Sequence, residues 1–175
     1  MNAKRMMAGV LLIAAAQLAI AADEKPAAMP ELKEDPRIAA QLKALNFEYT
    51  VTDDKDFKLV FEVGDEKRTQ AIVVNSNTEF YDKAELREVW AIALLVNDPI
   101  DQALANRLLR ANNTVKMGAW RAWPGDKKGD TQEIFIVFAA QLDAEASPEL
   151  LSATLDMVSQ TADALEKEIA HTDER

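Results

Sequence analysis

Apolar residues recur at helical spacing in three stretches of the chain and at a spacing of two between the first and second of them. Ile38, Leu42 and Leu45 fall on one helical face, as do Ile100, Ala103, Leu104, Leu108 and Ala111. Leu151, Leu155, Val158, Ala162, Leu165 and Ile169 alternate steps of four and three, which draws one apolar stripe along a long helix. Each predicted helix follows a capping side chain set directly before a proline: Asp35-Pro36, Asp98-Pro99 and Ser147-Pro148. Asp or Ser accepts from the unpaired N–H groups of a first turn. Proline at the first helical position has no N–H to lose, and its φ already suits a helix. The long stripe is expected to pack on the chain's own sheet.

Where the period is two, strands are expected. Phe47, Tyr49 and Val51 alternate with Glu48, Thr50 and Thr52, and Phe57, Leu59, Phe61 and Val63 alternate with Lys58, Val60 and Glu62. Residues 53–56 form the hairpin turn between them, 64–67 the next turn, and 69–74 a third strand. Residues 84–96 are open to two assignments: their types favour helix, while Leu86, Glu88, Trp90, Ile92 and Leu94 alternate as in a strand. Residues 116–123 and 133–141 predict a further hairpin, with 124–130 as its turn.

The N-terminus adds an address. Lys4 and Arg5 precede an uncharged run from Met6 to Ala22, which closes on Ala19-Ile20-Ala21. This predicts a secretory signal peptide over residues 1–22, cut near Ala21 or Ala22, and a periplasmic or secreted protein. The apolar run is short for a bilayer span, and Asp23 and Glu24 rather than basic residues follow it, so no stable membrane anchor is expected after cleavage. Residues 23–34, with Pro26 and Pro30, read as a flexible lead-in, 35–170 as a single domain and 171–175 as a frayed tail. The chain has no cysteine, hence no disulfide and no thiol to acylate. The 153 residues left after cleavage are enough for one self-sufficient core. Losing Lys4 and Arg5 takes the formal net charge from −10 to −12. Such a domain repels phosphate backbones, so no nucleic-acid partner is expected.

Little in the sequence points to catalysis. The only histidine is His171, near the end of the tail. With one His and no Cys, no zinc site is expected. The acidic turn Asp53-Asp54-Lys55-Asp56 lacks the Gly and distal Glu of a calcium loop. The five glycines form no phosphate-binding motif, and 30 acids make carboxylate pairs inevitable by chance. No catalytic residue, cofactor or metal is therefore predicted. Trp120 and Trp123 are three apart in a predicted strand, so they are expected on opposite faces, one in the core and one on a binding surface. Arg107 and Arg110 suit the negative end of the second helix, and Asn112 or Asn113 its C-cap.

Several segments together resemble the YbjN family: Asn75-Ser76, Leu86-Arg87-Glu88-Val89-Trp90, Ala105-Asn106-Arg107-Leu108-Leu109 with Asn112, Lys116-Met117-Gly118-Ala119-Trp120, and Ala162-Asp163. The resemblance spans Leu32 to about Lys167. It implies an α+β fold similar to class I type III secretion chaperones, which are small acidic dimers that bind polypeptides without nucleotide. It favours the strand over residues 84–96, giving an antiparallel sheet with helices packed on it in the order α-β-β-β-β-α-β-β-α. The family also carries the label of a bacterial sensory transduction regulator. Unlike the cytoplasmic chaperones, this chain is expected to carry an export signal over residues 1–22. The expected function is an exported, non-enzymatic protein- or peptide-binding module, chaperone-like or regulatory. It would use the open sheet face or an edge strand, with Trp90, Trp120, Trp123 and Arg87 as partner-binding residues. A homodimer is expected from the resemblance and the long apolar stripe. The alternative is a small hydrolase or small-ligand-binding protein with a carboxylate-based site.

Overall fold

The computed structural model describes residues 32–170. The predicted signal peptide, the lead-in before Leu32 and the tail with His171 lie outside the described residues. The elements run α1 (Pro36–Ala44), β1 (Thr50–Val51), β2 (Phe57–Val63), β3 (Arg68–Tyr81), β4 (Ala84–Asn97), α2 (Gln102–Ala111), β5 (Ala119–Lys128), β6 (Thr131–Asp143) and α3 (Pro148–Ala170). The predicted order α-β-β-β-β-α-β-β-α is the observed one, and the fold is α+β. The six strands form one sheet in the order β1-β2-β3-β4-β6-β5, antiparallel throughout. Short hairpins dictate that direction, while α2 carries the chain from β4 out to the edge strand β5.

Alternation divides the sheet into two faces. Phe57, Leu59, Ile72, Val74, Val89, Ala91, Ile136, Phe138 and Ala140 point inward and are buried. α3 lies across β2, β3, β4 and β6, and its Leu151, Leu155, Val158, Ala162 and Leu165 close the core over them, with Ile38 and Leu42 of α1 alongside. Fully burying a side chain of this size is worth roughly 1.5–3 kcal/mol. The long stripe thus packs on the chain's own sheet as expected, with Ile169 at its end the one residue of the stripe left exposed.

The first and third caps are as read. Asp35 accepts from the Arg37 N–H at 2.8 Å and Ser147 Oγ from the Leu150 N–H at 3.3 Å. Ser147→Ala is expected to lose about 1 kcal/mol, read as a shift in urea midpoint with unchanged slope. The second cap is corrected. Asp101, not Asp98, caps α2 by accepting from the Leu104 N–H at 3.0 Å. Asp98 is still tied to β6 through its N–H to the Gln132 carbonyl at 2.8 Å, and Ile100 packs on the core before the helix begins. α2 is lightly seated: Leu108 is its one buried residue, and Ala103 is exposed.

Three strand limits are corrected as well. β1 is two residues long, Thr50–Val51, and Phe47 before it meets Phe61 edge-on with ring centres 5.4 Å apart. β3 continues past Val74 to Tyr81 through a bulge, with Val74 opposite Val89 and Thr78 opposite Arg87. β5 runs through Pro124 to Lys128, so the turn is Gly129-Asp130 rather than 124–130. Proline is tolerated there because β5 is an edge strand and pairs on one side only.

Candidate functional site

The open face of the sheet carries the most distinctive feature. β3 and β4 pair from Tyr81–Ala84 to Val73–Trp90, and their pairing goes no further. Beyond that point β3 keeps β2 as its partner and β4 keeps β6. Gln70 bridges the interruption: its Nε2 donates to the Ile92 carbonyl at 2.8 Å, where a ladder hydrogen bond would otherwise run. A concave region of about 520 Å³ opens here. Val73, Trp90, Ile92, Leu95 and Phe135 wall it, and Lys58 stands at its rim. Gln70 and Glu166, the latter reaching the gap from α3 on the other side of the sheet, form its polar floor. Glycine at position 125 lets the Phe135 ring lie against the β5 backbone, since a Cβ there would stand 2.7 Å from the ring. Among the described residues, all three helices pack on the inner face, so no helix covers this one.

The floor is held by charge. Arg68 donates from Nε to Asp163 at 2.8 Å and approaches Glu166 at 4.0 Å, all three side chains being nearly inaccessible. Buried charges persist in a core only when paired and hydrogen-bonded. This cluster therefore fixes the end of α3 against β3.

Trp90 and Trp123 lie together on the open face. Their rings meet edge-on with centres 5.1 Å apart, and the Trp90 indole N–H donates to Asn75 Oδ1 at 2.8 Å. Both are half-buried, leaving part of each ring at the surface. Trp120, opposite Phe138, points to the inner face and meets that ring edge-on at 5.1 Å. The two tryptophans of β5 thus face opposite ways, as alternation demands. Trp120 belongs with the core and the cleft beneath α2, not with Trp90 and Trp123.

Arg87 is not at the surface. Its side chain is 2 % exposed, pairs with Asp35 and donates to the Asn75 carbonyl at 2.6 Å. The β3 bulge takes the Asn75 and Ser76 carbonyls out of the ladder, and the Arg87 guanidinium satisfies them from the neighbouring strand. Its place is an anchor between α1 and the sheet, which corrects the expectation that it meets a partner. Gln70, Phe135 and Glu166 were not singled out from the sequence. The available signal was Gln70 itself, a polar residue at an inward position two before Ile72.

The anchor makes stability depend on acid. Burial works against ionisation of Asp35, but hydrogen bonds from Arg37 and Arg87 outweigh it and hold the carboxyl at about 2. The Arg37 guanidinium, then the Thr78 hydroxyl, hold Glu85 at about 2. Both values lie below the ordinary ones, so both groups stabilise the fold above pH ~4.5 and lose that contribution as pH falls toward 2. Asp56 runs the other way: burial raises its pKa, so its charged form opposes folding at neutral pH. Urea midpoints measured from pH 7 to 2 are expected to fall most steeply below about 4.5. Asp35→Asn should lower the neutral plateau and flatten that fall; an unchanged slope would show that Asp35 is not a paired carboxylate.

Among the described residues no three His, Cys, Asp or Glu side chains are grouped so as to hold a metal ion, and no helix is long and apolar enough to cross a membrane. No protein-family model matches the chain, and the search of curated proteins returns no match. Among solved structures it is similar to YbjN from E. coli, described as a candidate transcription regulator. That match is 13% identical, covers 78% of this chain and 91% of that one, and has a TM-score of 0.44.

Proposed function

We propose that this chain is an exported, non-enzymatic binding module that holds a protein or peptide partner on the open sheet face. One observation carries the proposal: an apolar concavity, walled by Trp90, Ile92, Leu95 and Phe135 and flanked by Trp123, on a face that no helix of the described residues covers. Aromatic side chains that keep part of their surface accessible in a well-packed pocket are the usual centres of binding energy. The concavity is within the size range of ligand sites. The hydrolase alternative has less support, because Asp35 and Glu85 are both locked to Arg37 and Glu166 sits beside Arg68, which leaves these acids as anchors rather than proton donors. Export follows from the N-terminal pattern. It predicts that a C-terminally tagged chain is recovered outside the cytoplasm, shortened by about 22 residues on mass measurement.

Binding is tested by placing a photo-cross-linking amino acid at Leu95 on the open face or at Leu109 on α2, followed by mass spectrometry of what is captured in the cell. A recurrent partner captured from Leu95 and not from Leu109, and lost with Trp123→Ala, is the expected result. Equal capture from both positions, or capture indifferent to Trp123, would remove the open face as the binding surface.

A further inference from the structure

The register of β6 fixes which backbone groups of the edge strand β5 point out of the sheet. Just past β6 the Ala144 N–H donates to the Glu85 carbonyl at 2.8 Å, and at its start the Gln132 carbonyl accepts from the Asp98 N–H at 2.8 Å. Even-numbered residues of β6 therefore bond toward β4 and odd-numbered ones toward β5. Ala119, Arg121 and Trp123 lie opposite Ala139, Val137 and Phe135, so their backbone groups face β6. Those of Trp120, Ala122 and Pro124 face away, and no strand of the described residues lies beyond them. These three residues are the rungs on which an added strand would pair. Two of them have no N–H to offer. The Trp120 N–H already donates to Asn112 Oδ1 at 2.7 Å, and proline has none. Ala122, exposed between them, keeps its own. Further on, the register slips between Pro124 and Lys127, and two lysines end the strand.

We propose that Asn112 and Pro124 form a guard that closes β5 to strand addition, and that the strand it keeps out is the β5 of a second copy. Exposed sheet edges template pairing with other chains, and prolines, lysines and bulges are the usual means of blunting them. The occupant follows from the register. Two β5 edges pairing antiparallel about a twofold axis at Ala122 set Trp120 of one copy opposite Pro124 of the other. On both sides of the axis the donors are then missing, one engaged by Asn112 and one absent by chemistry, and the Ala122 rung stands alone. Asn112 acts from the C-cap of α2, so the connection that delivers the chain to the edge also blocks it. The guard concerns the sheet edge and is independent of the open-face reading. It adds that a partner is not taken up by strand pairing along β5.

The test combines sedimentation of the purified protein at millimolar concentration with amide exchange followed by NMR. In the unaltered protein the Trp120 amide should exchange slowly and the Ala122 amide freely at every concentration. Asn112→Ala with Pro124→Val frees one N–H and restores the other. That variant should sediment at about twice the monomer mass, with Ala122 exchange slowed about tenfold or more as concentration rises. Free Ala122 exchange in the folded double variant at millimolar concentration overturns the inference. Concentration-dependent protection of Ala122 in the unaltered protein overturns it too, since the edge would then pair despite the guard. Where the double variant does not fold, Pro124→Val alone decides, because Pro124 is exposed and its replacement returns an N–H to each side of the axis. Slowed Ala122 exchange in that variant supports the guard, and unchanged exchange removes it.

Discussion

Arg68→Ala is expected to cost about 3–5 kcal/mol of folding stability, the loss typical of removing one partner from a buried ion pair. Arg68 sits at the inward start of β3, facing Asp163 and Glu166 on α3. Those two carboxylates are three residues apart and therefore neighbours on one helix face. Without the guanidinium they repel each other in a region from which water is nearly excluded. Urea unfolding at neutral pH measures the loss, and a deficit under about 1 kcal/mol would mean that the cluster is solvated. Replacing all three by apolar residues, as Arg68→Met with Asp163→Leu and Glu166→Leu, should be neutral or stabilising, because the desolvation of three charges disappears along with their attraction.

Arg87→Ala is the second large effect, expected at about 3 kcal/mol. The cost has three sources. Asp35 loses one of its two guanidinium partners while remaining buried, the Asn75 and Ser76 carbonyls of the bulge lose a donor, and a cavity opens between α1 and the sheet. Arg37 stays in place and keeps Asp35 paired on its other side, which holds the loss below that of a fully stranded charge. Backbone amide exchange should accelerate first in α1. At temperatures where the variant is still folded, partner capture at Leu95 should be unchanged. Trp90→Ala and Trp123→Ala are expected to show the opposite pattern, losing capture with a smaller change in stability. Loss of capture with Arg87→Ala in a fully folded sample would return Arg87 to the binding surface.

The helices were legible for a local reason. A cap, a proline and an apolar stripe all lie within a few turns of one another, and α1 and α3 begin where Asp35-Pro36 and Ser147-Pro148 place them. The same pattern misled at Asp98-Pro99, because a tertiary tie from Asp98 to Gln132 delays the helix until Asp101 can cap it. Residues 84–96 suited helix and strand alike until the resemblance favoured the strand that β4 forms, whereas the alternation of β2 was readable from side chains alone. The second half of β3 was not: Asn75-Ser76-Asn77 carries turn chemistry, and it sits in a strand because Arg87, Trp90, Asp35 and Asp56 satisfy its polar groups from elsewhere in the chain. The opposite facing of Trp120 and Trp123 followed from parity within one strand. Their separate destinies did not, since these depend on which face the helices cover.

Features that depend on near neighbours can be read along the chain: the starts of α1 and α3, the inward stripe of α3, the split between Trp120 and Trp123, the acidic charge and the absence of cysteine. Other features appear only in the folded chain: β3 and β4 part beyond Val73–Trp90, Gln70 bridges the parting, and Arg87 lies inside while Trp90 and Trp123 lie on the open face. Each of these is a meeting of residues far apart in the chain, such as Arg68 with Asp163 or Gln70 with Ile92. Periodicity records which side of an element a residue takes. It carries no record of which other element waits there, and that second fact decides whether a charged or aromatic side chain anchors the fold or meets a partner.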